Sequence, residues 1–378
     1  MPDVVVCGAG PAGSIAAILL ARAGATVLLL DRARFPRDKL CGDTVNPGAV
    51  ALLHRYGLSH VLDGALPVDG MIVTGASGLR VEGRYGGGVQ GRAILRRDLD
   101  ARLVEAAASA GARVEEEVLV TGAVAGPADG SSSVRGVTVK TADGRHLDLT
   151  ARVVIAADGR HSRVAQALGL SRHPRAPRRW AVGGYFEQVA GLTTCGEMHI
   201  RENRYMGVAP LGGGIANACV VTAARDGLRN PEALLLDALR SDRALAERFA
   251  AARLVAPPVC LGPLAVECGT PGTIGLLLVG DAAGFIDPMT GDGLRFAFRG
   301  AELAADAARD ALEHGWRDAH VRLGAARRRE FRSKWRFNRT LRSIVGSPST
   351  VRLADRGASL APGIVRGLIR YAADLRAA

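Results

Sequence analysis

The hydrophobic pattern opens on Asp3–Cys7, a run centred on three valines that fits a strand buried on both faces. Glycines follow at once, then a helical stretch over Ile15–Ala23 and a second apolar run, Thr26–Leu30, ending on Asp31. Strand, helix and strand at this spacing make a βαβ unit. Arg32–Pro47 carries prolines and glycines without periodicity and reads as an irregular loop into a helix over Gly48–Tyr56. Short alternating stretches, Gly70–Thr74 and Leu79–Gly83, predict strands of a separate lobe. Asp98–Ala110 is predicted as a helix capped by Asp98 and stopped by Gly111. Strands follow over Arg113–Val124, Val134–Thr141 and His146–Thr150, the last two joined by the hairpin signal Ala142-Asp143-Gly144.

Val153–Ala156 is a further buried strand, running into Asp158-Gly159. Trp180–Thr222 alternates short strands and turns, Pro231–Ala251 reads as a helix, and Gly275–Val279 is again a parallel-type strand. A long helix over Gly293–His314 precedes helices broken at Ser347-Pro348 and Pro362-Gly363. The parallel strands are therefore interrupted by an insertion. Residues 1-69, 92-178 and 270-315 are expected to form one discontinuous domain, 70-91 and 179-269 an inserted mixed-sheet lobe, and 316-378 a C-terminal helical segment.

The glycines give the first domain its chemistry. Gly8, Gly10 and Gly13, with Pro11 and Ala12 between them, follow a buried strand and open a helix. That placement lets backbone N–H groups and the helix dipole receive a pyrophosphate, and Asp31 at the end of the next strand is placed for a ribose hydroxyl. Gly86, Gly88 and Gly91 repeat the spacing but follow no buried strand and open no amphipathic helix, so they are read as a loop. Gly280-Asp281-Ala282-Ala283-Gly284 ends another buried strand, with Asp281 suited to a ribityl hydroxyl. The polar, glycine-rich stretch from Pro288 through Gly291 to Gly293-Leu294 then enters a helix whose dipole would favour an electron-rich ring. Together with Asp158-Gly159, these segments point to FAD.

Composition narrows the rest. The chain has 378 residues and 48% hydrophobic content, and no apolar run reaches the length of a membrane span. The first strand begins by Asp3, so no signal peptide is expected, and the localisation expected is cytoplasmic. Six cysteines are scattered with no CxxC and no histidine at ligand spacing, so no metal site is expected. The net charge of +12 is almost all arginine, densest at Arg327-Arg328-Arg329, Arg332, Lys334, Arg336, Arg339 and Arg342. Attraction to nucleic acid or anionic lipid is one reading of that cluster, and a solvated helix face is the reading adopted. Aromatics, at 4%, are not interleaved with it as stacking platforms, which argues against nucleic acid.

With these motifs in hand, the chain resembles the FAD-dependent oxidoreductase superfamily of aromatic hydroxylases and halogenases, and most closely its geranylgeranyl reductase-like branch. Besides the three segments above, Lys39-Leu40-Cys41-Gly42-Asp43 is similar to that branch's Cys-Gly signature beside the flavin ring. The resemblance implies an α/β fold: a Rossmann-like FAD-binding domain of the hydroxylase and glutathione-reductase type, with an inserted substrate lobe and C-terminal helices. It also implies that Arg96 lies near the FAD phosphates and ribityl chain, that Val118 contacts adenine through its backbone, and that Arg32, Cys41 and Gly42 lie along the cofactor. NAD(P)H would be a transient reductant, since no second fingerprint for it is present.

Two motifs of relatives are missing. The Tyr-x-Trp-x-Phe-Pro segment of prenyl reductases is replaced by Tyr205-Met206-Gly207-Val208-Ala209-Pro210, and the Trp-x-Trp-x-Ile-Pro segment of halogenases is absent. The reading that follows is a monooxygenase that uses O2 to hydroxylate or epoxidise a hydrophobic small molecule of polyketide, phenolic or quinone-like type, in secondary metabolism. Reduction of C=C bonds in a prenylated substrate is the alternative. A flavin electron-transfer protein with weak membrane-surface contact, made by Phe331, Trp335 and the apolar tail Ile364–Leu375, is the third. Flavin chemistry needs few side chains. Cys41, Asp43 and Asp292 are the candidate catalytic groups, with Asp287 beside them. Tyr205, Met206 and Pro210 are the candidate substrate contacts. His54, His60, His161, His173, His199, His314 and His320 stand isolated along the sequence and are read as structural.

Overall fold

The computed structural model describes residues 1–126, 133–176, 178–223 and 225–375. Its first layer is a six-stranded sheet in the order Gly272–Thr273, Leu276–Leu278, Val153–Ala156, Val4–Cys7, Val27–Leu30, Arg113–Glu115. All neighbours are parallel except the Gly272–Thr273 edge, and Val4 lies opposite both Val27 and Val153. Such strands are buried on both faces, which is why each reads as a continuous apolar run. Val4, Val6 and Leu29 face a layer made by helices Pro11–Arg22, Arg96–Ser109 and Gly293–His314. Val5, Cys7 and Leu30 face a three-stranded meander of Leu119–Ala125, Val134–Lys140 and His146–Thr150. The expected strand over Arg113–Val124 is thus two strands, broken where Glu117 takes φ 60°.

The second sheet has eight strands, drawn from residues 70–84 and 180–261. Its central strands are Trp180–Glu187, Ile215–Thr222, Arg204–Pro210 and Cys195–Arg201, and Gly70–Thr74 joins the last in parallel. One face packs on helix Pro231–Arg240 through Val182, Phe186, Met206, Val220 and Leu235. That helix stops short of the expected Ala251, because Asp242 turns back to accept a bidentate ion pair from Arg201. The other face looks onto the C-terminal helices Ala319–Val345, Pro348–Leu360 and Pro362–Ala372. Gly86, Gly87 and Gly88 all have positive φ and form a turn, as the loop reading of that repeat requires.

The basic stripe on Ala319–Val345 is not simply a solvated face. Arg327 and Lys334 are 5% and 4% exposed. Arg327 donates to the Ala283 carbonyl at 3.1 Å, and burial lowers its pKa to about 10. Phe331 is fully buried and packs on Phe296 and Trp335, so this pair does not present an apolar surface to a membrane. No helix among the described residues is long and apolar enough to cross one.

Candidate active site

The strand Val4–Cys7 hands the chain to Gly8, whose φ of +101° and N–H to the Leu30 carbonyl (2.7 Å) turn it sharply into the helix. A Cβ on Gly8 would lie 2.6 Å from the Ala157 carbonyl, and one on Gly13 only 1.8 Å from the Gly8 carbonyl. The first helical turn therefore packs directly on strand ends, and no side chain caps its amides. Asp31 fastens this loop: its Oδ2 accepts the Ala9 N–H at 2.8 Å and its Oδ1 the Ala33 N–H at 2.9 Å. A carboxylate has further lone pairs for a hydroxyl donor. Gly280, at φ +58°, closes on the same point, its Cβ position 3.0 Å from that of Ala12.

Several buried polar atoms around this cradle have no protein partner, among them Asp158 Oδ1, Arg160 Nη1 and Thr290 Oγ1. Burial raises the pKa of Asp158, so an added hydrogen-bond donor would relieve a real cost. Gly10, Pro11, Ala12, Gly159, Arg160, Gly280, Asp281, Pro288, Gly291, Gly293 and Leu294 converge on one cavity of about 480 Å³. Glycine cradle, uncapped helix start and unpartnered polar atoms together suit a dinucleotide carrying a ring system.

The same cavity is lined by Lys39, Leu40, Cys41, Gly42 and Arg96. Arg96 forms a bidentate ion pair with Asp100 (2.8 and 2.9 Å), and Arg37 reaches the same carboxylate at 3.2 Å. Burial opposes the charge of Arg96, but Asp100 and the neighbouring Cys41 sulfur hold its pKa above the usual value. Lys39 is brought down to about 8, first by burial and then by Arg96. The sequence assigns no role to Lys39, Arg37 or Arg160, although Lys39 lies inside the Cys-Gly motif and the other two lie close to a motif.

Several expected contacts fall elsewhere. Asp43 lies off the cavity, its carboxylate accepting the Arg96 N–H (2.9 Å) and the Asn217 amide (2.7 Å), so it ties the Cys41-Gly42 loop to the start of helix Arg96–Ser109 and to the second sheet. Asp292 is likewise turned away and paired with Lys334 at 3.2 Å. Both are positioning groups rather than groups facing a reactant. Met206 packs in the core on the far face of its sheet, and neither it nor Pro210 reaches the cavity; Tyr205, Gly207 and Ala209 do. Tyr205 donates to Asp287 at 2.5 Å, and Asp287 is also paired with Arg179 at 3.1 Å. The Val118 N–H is taken by the Asp31 carbonyl at 2.9 Å, so a backbone contact to adenine would fall to the Val118 carbonyl. Arg32 is exposed and does not line the cavity.

Several of these histidines are not isolated. His161 and His173 meet at 3.2 Å, and His199 is buried between Glu197 (3.0 Å) and Thr74 (2.9 Å), in a network completed by Arg248. Among the described residues no group of carboxylates, cysteines and histidines could hold a metal ion. All six cysteines are free, and burial pushes Cys219, which lines the cavity near Cys41, up to about 11.

Asp43 yields a pH prediction. Burial raises its pKa from 3.8 to about 6, so the folded chain holds this proton more tightly than the unfolded one. Its stabilising contribution is complete below the unfolded value and is lost as pH rises through about 6. Relative to an Asp43→Asn variant, wild type should lose on the order of 3 kcal/mol of stability between about pH 4 and about pH 7. Chemical denaturation of both proteins across that range checks it; parallel pH profiles would remove Asp43 as the titrating group.

The geometry defines a flavin-binding oxidoreductase: a parallel sheet with a glycine-turned dinucleotide cradle, continuous with an apolar chamber under a second sheet. The family described as FAD binding domain matches residues 1–305, and the chain belongs to it. It is 35% identical over 318 residues to the menaquinone reductase of Mycobacterium tuberculosis H37Rv, covering 80% of this chain and 76% of that one. Digeranylgeranylglycerophospholipid reductase 2 of Methanopyrus kandleri is 33% identical over 334 residues, covering 82% and 78%. Among solved structures, the myxobacterial chondrochloren halogenase CndH superposes with a TM-score of 0.82 at 23% identity, covering 97% of this chain and 90% of that one. The protein is a FAD-dependent oxidoreductase with the fold that halogenases and reductases share.

Proposed function

We propose that the protein reduces a carbon–carbon double bond in a long apolar, prenyl-type substrate. One observation carries this reading: the cavity does not end at the ring site. It continues between the second sheet and the C-terminal helices, past Met71, Met198, Ile200, Phe337, Leu341, Val351, Val365 and Ile369. Its exposed lining is overwhelmingly apolar, which suits an extended hydrocarbon better than a compact phenol. The names borne by the relatives, menaquinone reductase and digeranylgeranylglycerophospholipid reductase, point the same way. Together these outweigh the missing Trp and Phe, which favoured oxygen insertion in the sequence reading.

Saturating a C=C bond adds a hydride to one carbon and a proton to its neighbour. FAD, when bound, would supply hydride equivalents drawn from NAD(P)H. The chain supplies the rest. The Gly8–Gly13 turn and Asp281 would hold the dinucleotide end, and Pro288–Leu294 would present a helix start to the ring. Cys41 lines the cavity at that end beside Arg96, where its thiol can deliver the proton. The lipophilic walls exclude water and align the chain.

The test is anaerobic. Reduced protein mixed with a polyprenyl quinone should recover oxidised-flavin absorbance and yield, once any quinol has been re-oxidised in air, a quinone whose side chain still carries two added hydrogens; a product that returns to the starting quinone would overturn the reading. Cys41→Ala should slow that step by about 10²–10⁴-fold while leaving reduction by NAD(P)H intact. A product heavier by one oxygen, formed only in air and without any hydrogenated product, would establish oxygen insertion instead. Gly207 and Ala209 favour that second reading, since they leave width beside the ring for a cyclic substrate.

A further inference from the structure

We propose that the outer face of the C-terminal helical hairpin, Pro348–Leu360 and Pro362–Ala372, docks on an anionic phospholipid surface. Both helices are apolar on two sides, which is unusual for helices at a protein surface. Their inner side closes the cavity through Val351, Ala358, Val365 and Ile369. Their outer side leaves Leu353, Leu360 and Ile364 exposed by 72%, 87% and 65%, with Leu368 and Tyr371 at 39% and 37%. Leu360 and Ile364 flank the Ala361-Pro362 connection, so the hairpin tip is apolar. These five account for much of the large apolar exposure in the described residues, and they fall within twenty positions of one another.

Charge selects the occupant. Arg352, Arg356 and Arg366 are exposed on the same hairpin, and Arg370 is half-buried beside them. The only acids of the two helices and the turn after them are Asp355, which is buried, and Asp374, which is paired with Arg295 and Lys334. Arg352 is also paired, with Glu202 at 2.6 Å, and Arg366 donates through Nε to the Glu82 carbonyl at 3.3 Å, which leaves its outer guanidinium nitrogens at the surface. The exposed face therefore combines apolar side chains with positive charge. A second copy of the chain, docked face to face by twofold symmetry, would set arginines against arginines. An anionic bilayer meets both properties at once: apolar side chains enter the acyl boundary and arginines remain at the phosphates. Leu368 belongs to both the exposed face and the cavity wall. Docking would thus place the cavity wall against the phase in which a long apolar molecule dissolves. The inference concerns where the protein works and does not depend on which bond it changes.

The experiment is co-sedimentation of the FAD-loaded protein with vesicles of phosphatidylcholine alone or mixed with phosphatidylglycerol, at low and high salt. Binding to the mixed vesicles at low salt should exceed binding to the neutral ones by about tenfold and weaken by a similar factor at high salt. Leu360→Glu/Ile364→Glu should abolish binding while retaining flavin absorbance and helical circular dichroism, since both side chains face solvent. Arg356→Glu/Arg366→Glu should remove the preference for anionic lipid. Unchanged binding by Leu360→Glu/Ile364→Glu, or no binding by wild type at low salt, overturns the proposal. So does a wild-type dimer in light scattering that the Leu360→Glu/Ile364→Glu protein no longer forms, because the face would then be a self-interface.

Discussion

Replacing Gly13 by valine should give a folded but colourless protein. The Cβ of any other residue there would lie 1.8 Å from the Gly8 carbonyl and 3.1 Å from the Ala157 Cβ. The first contact is with backbone, which cannot swing aside, so the start of helix Pro11–Arg22 must move off the strand ends. That movement takes the uncapped amides away from the pyrophosphate position they are aimed at. The expected loss of FAD affinity is on the order of a hundredfold or more, about 3 kcal/mol. The readout is the ratio of flavin to protein absorbance after gel filtration, with far-UV circular dichroism to show that the fold persists. Gly212→Ala, at a glycine with nothing within 4 Å of its Cβ position, is the control that should stay yellow. Full occupancy in the Gly13→Val protein would move the cofactor away from this loop.

The second large effect lies far from the glycines. Lys334 is 4% exposed and carries the charge that compensates Asp292, itself 2% exposed, at 3.2 Å. Its ammonium also reaches Asp374 at 3.2 Å and the carbonyls of Tyr371 and Ala372 at 2.6 and 3.0 Å. Lys334→Met leaves a buried carboxylate unpaired and cuts the tie between the long basic helix and the last helix. Removing one partner of a buried pair costs about 3–5 kcal/mol. Burial already raises the pKa of Asp292 against the pull of Lys334, so the variant should take up a proton there and recover part of that loss in acid. Denaturation of Lys334→Met and of Lys334→Met/Asp292→Asn decides the cause: the double variant should be the more stable. If the two are equally unstable, the lost carbonyl contacts, and not the orphaned charge, hold the junction together.

The parts of this molecule that the sequence makes legible are those whose physics is local. Val4–Cys7, the glycines after it and Asp31 announce a dinucleotide fold because turn, helix start and strand end lie within one short stretch. The C-terminal part of the site depends instead on which face of an element meets which distant neighbour. Met206 and Tyr205 are adjacent, and nothing in Arg204–Pro210 says which of them faces a cavity until the partner strands and helix Pro231–Arg240 are placed. Asp43 and Asp292 look like acids near a ring in sequence. In space each is consumed by partners far along the chain, Asn217 and Lys334 respectively. Lys334 and Arg327 look solvated in sequence because charge ordinarily marks a surface. The Glu197–His199 pair was within reach, since residues two apart on a strand share a face.

The matched family segment ends at residue 305, yet much of the chamber's outer wall comes from residues 337–373. On the proposed function, the redox apparatus and the outer wall of the substrate chamber are thus written in consecutive stretches of the same gene. A short set of fasteners joins them: Arg327 to Ala283, Lys334 to Asp292, and Arg179 to the Arg342 carbonyl. A chimera that exchanges the helices after His314 while keeping those fasteners should change which chain length is accepted without disturbing the flavin. In such a molecule, new specificities can be sampled by replacing a terminal cassette, with the electron-handling half left untouched.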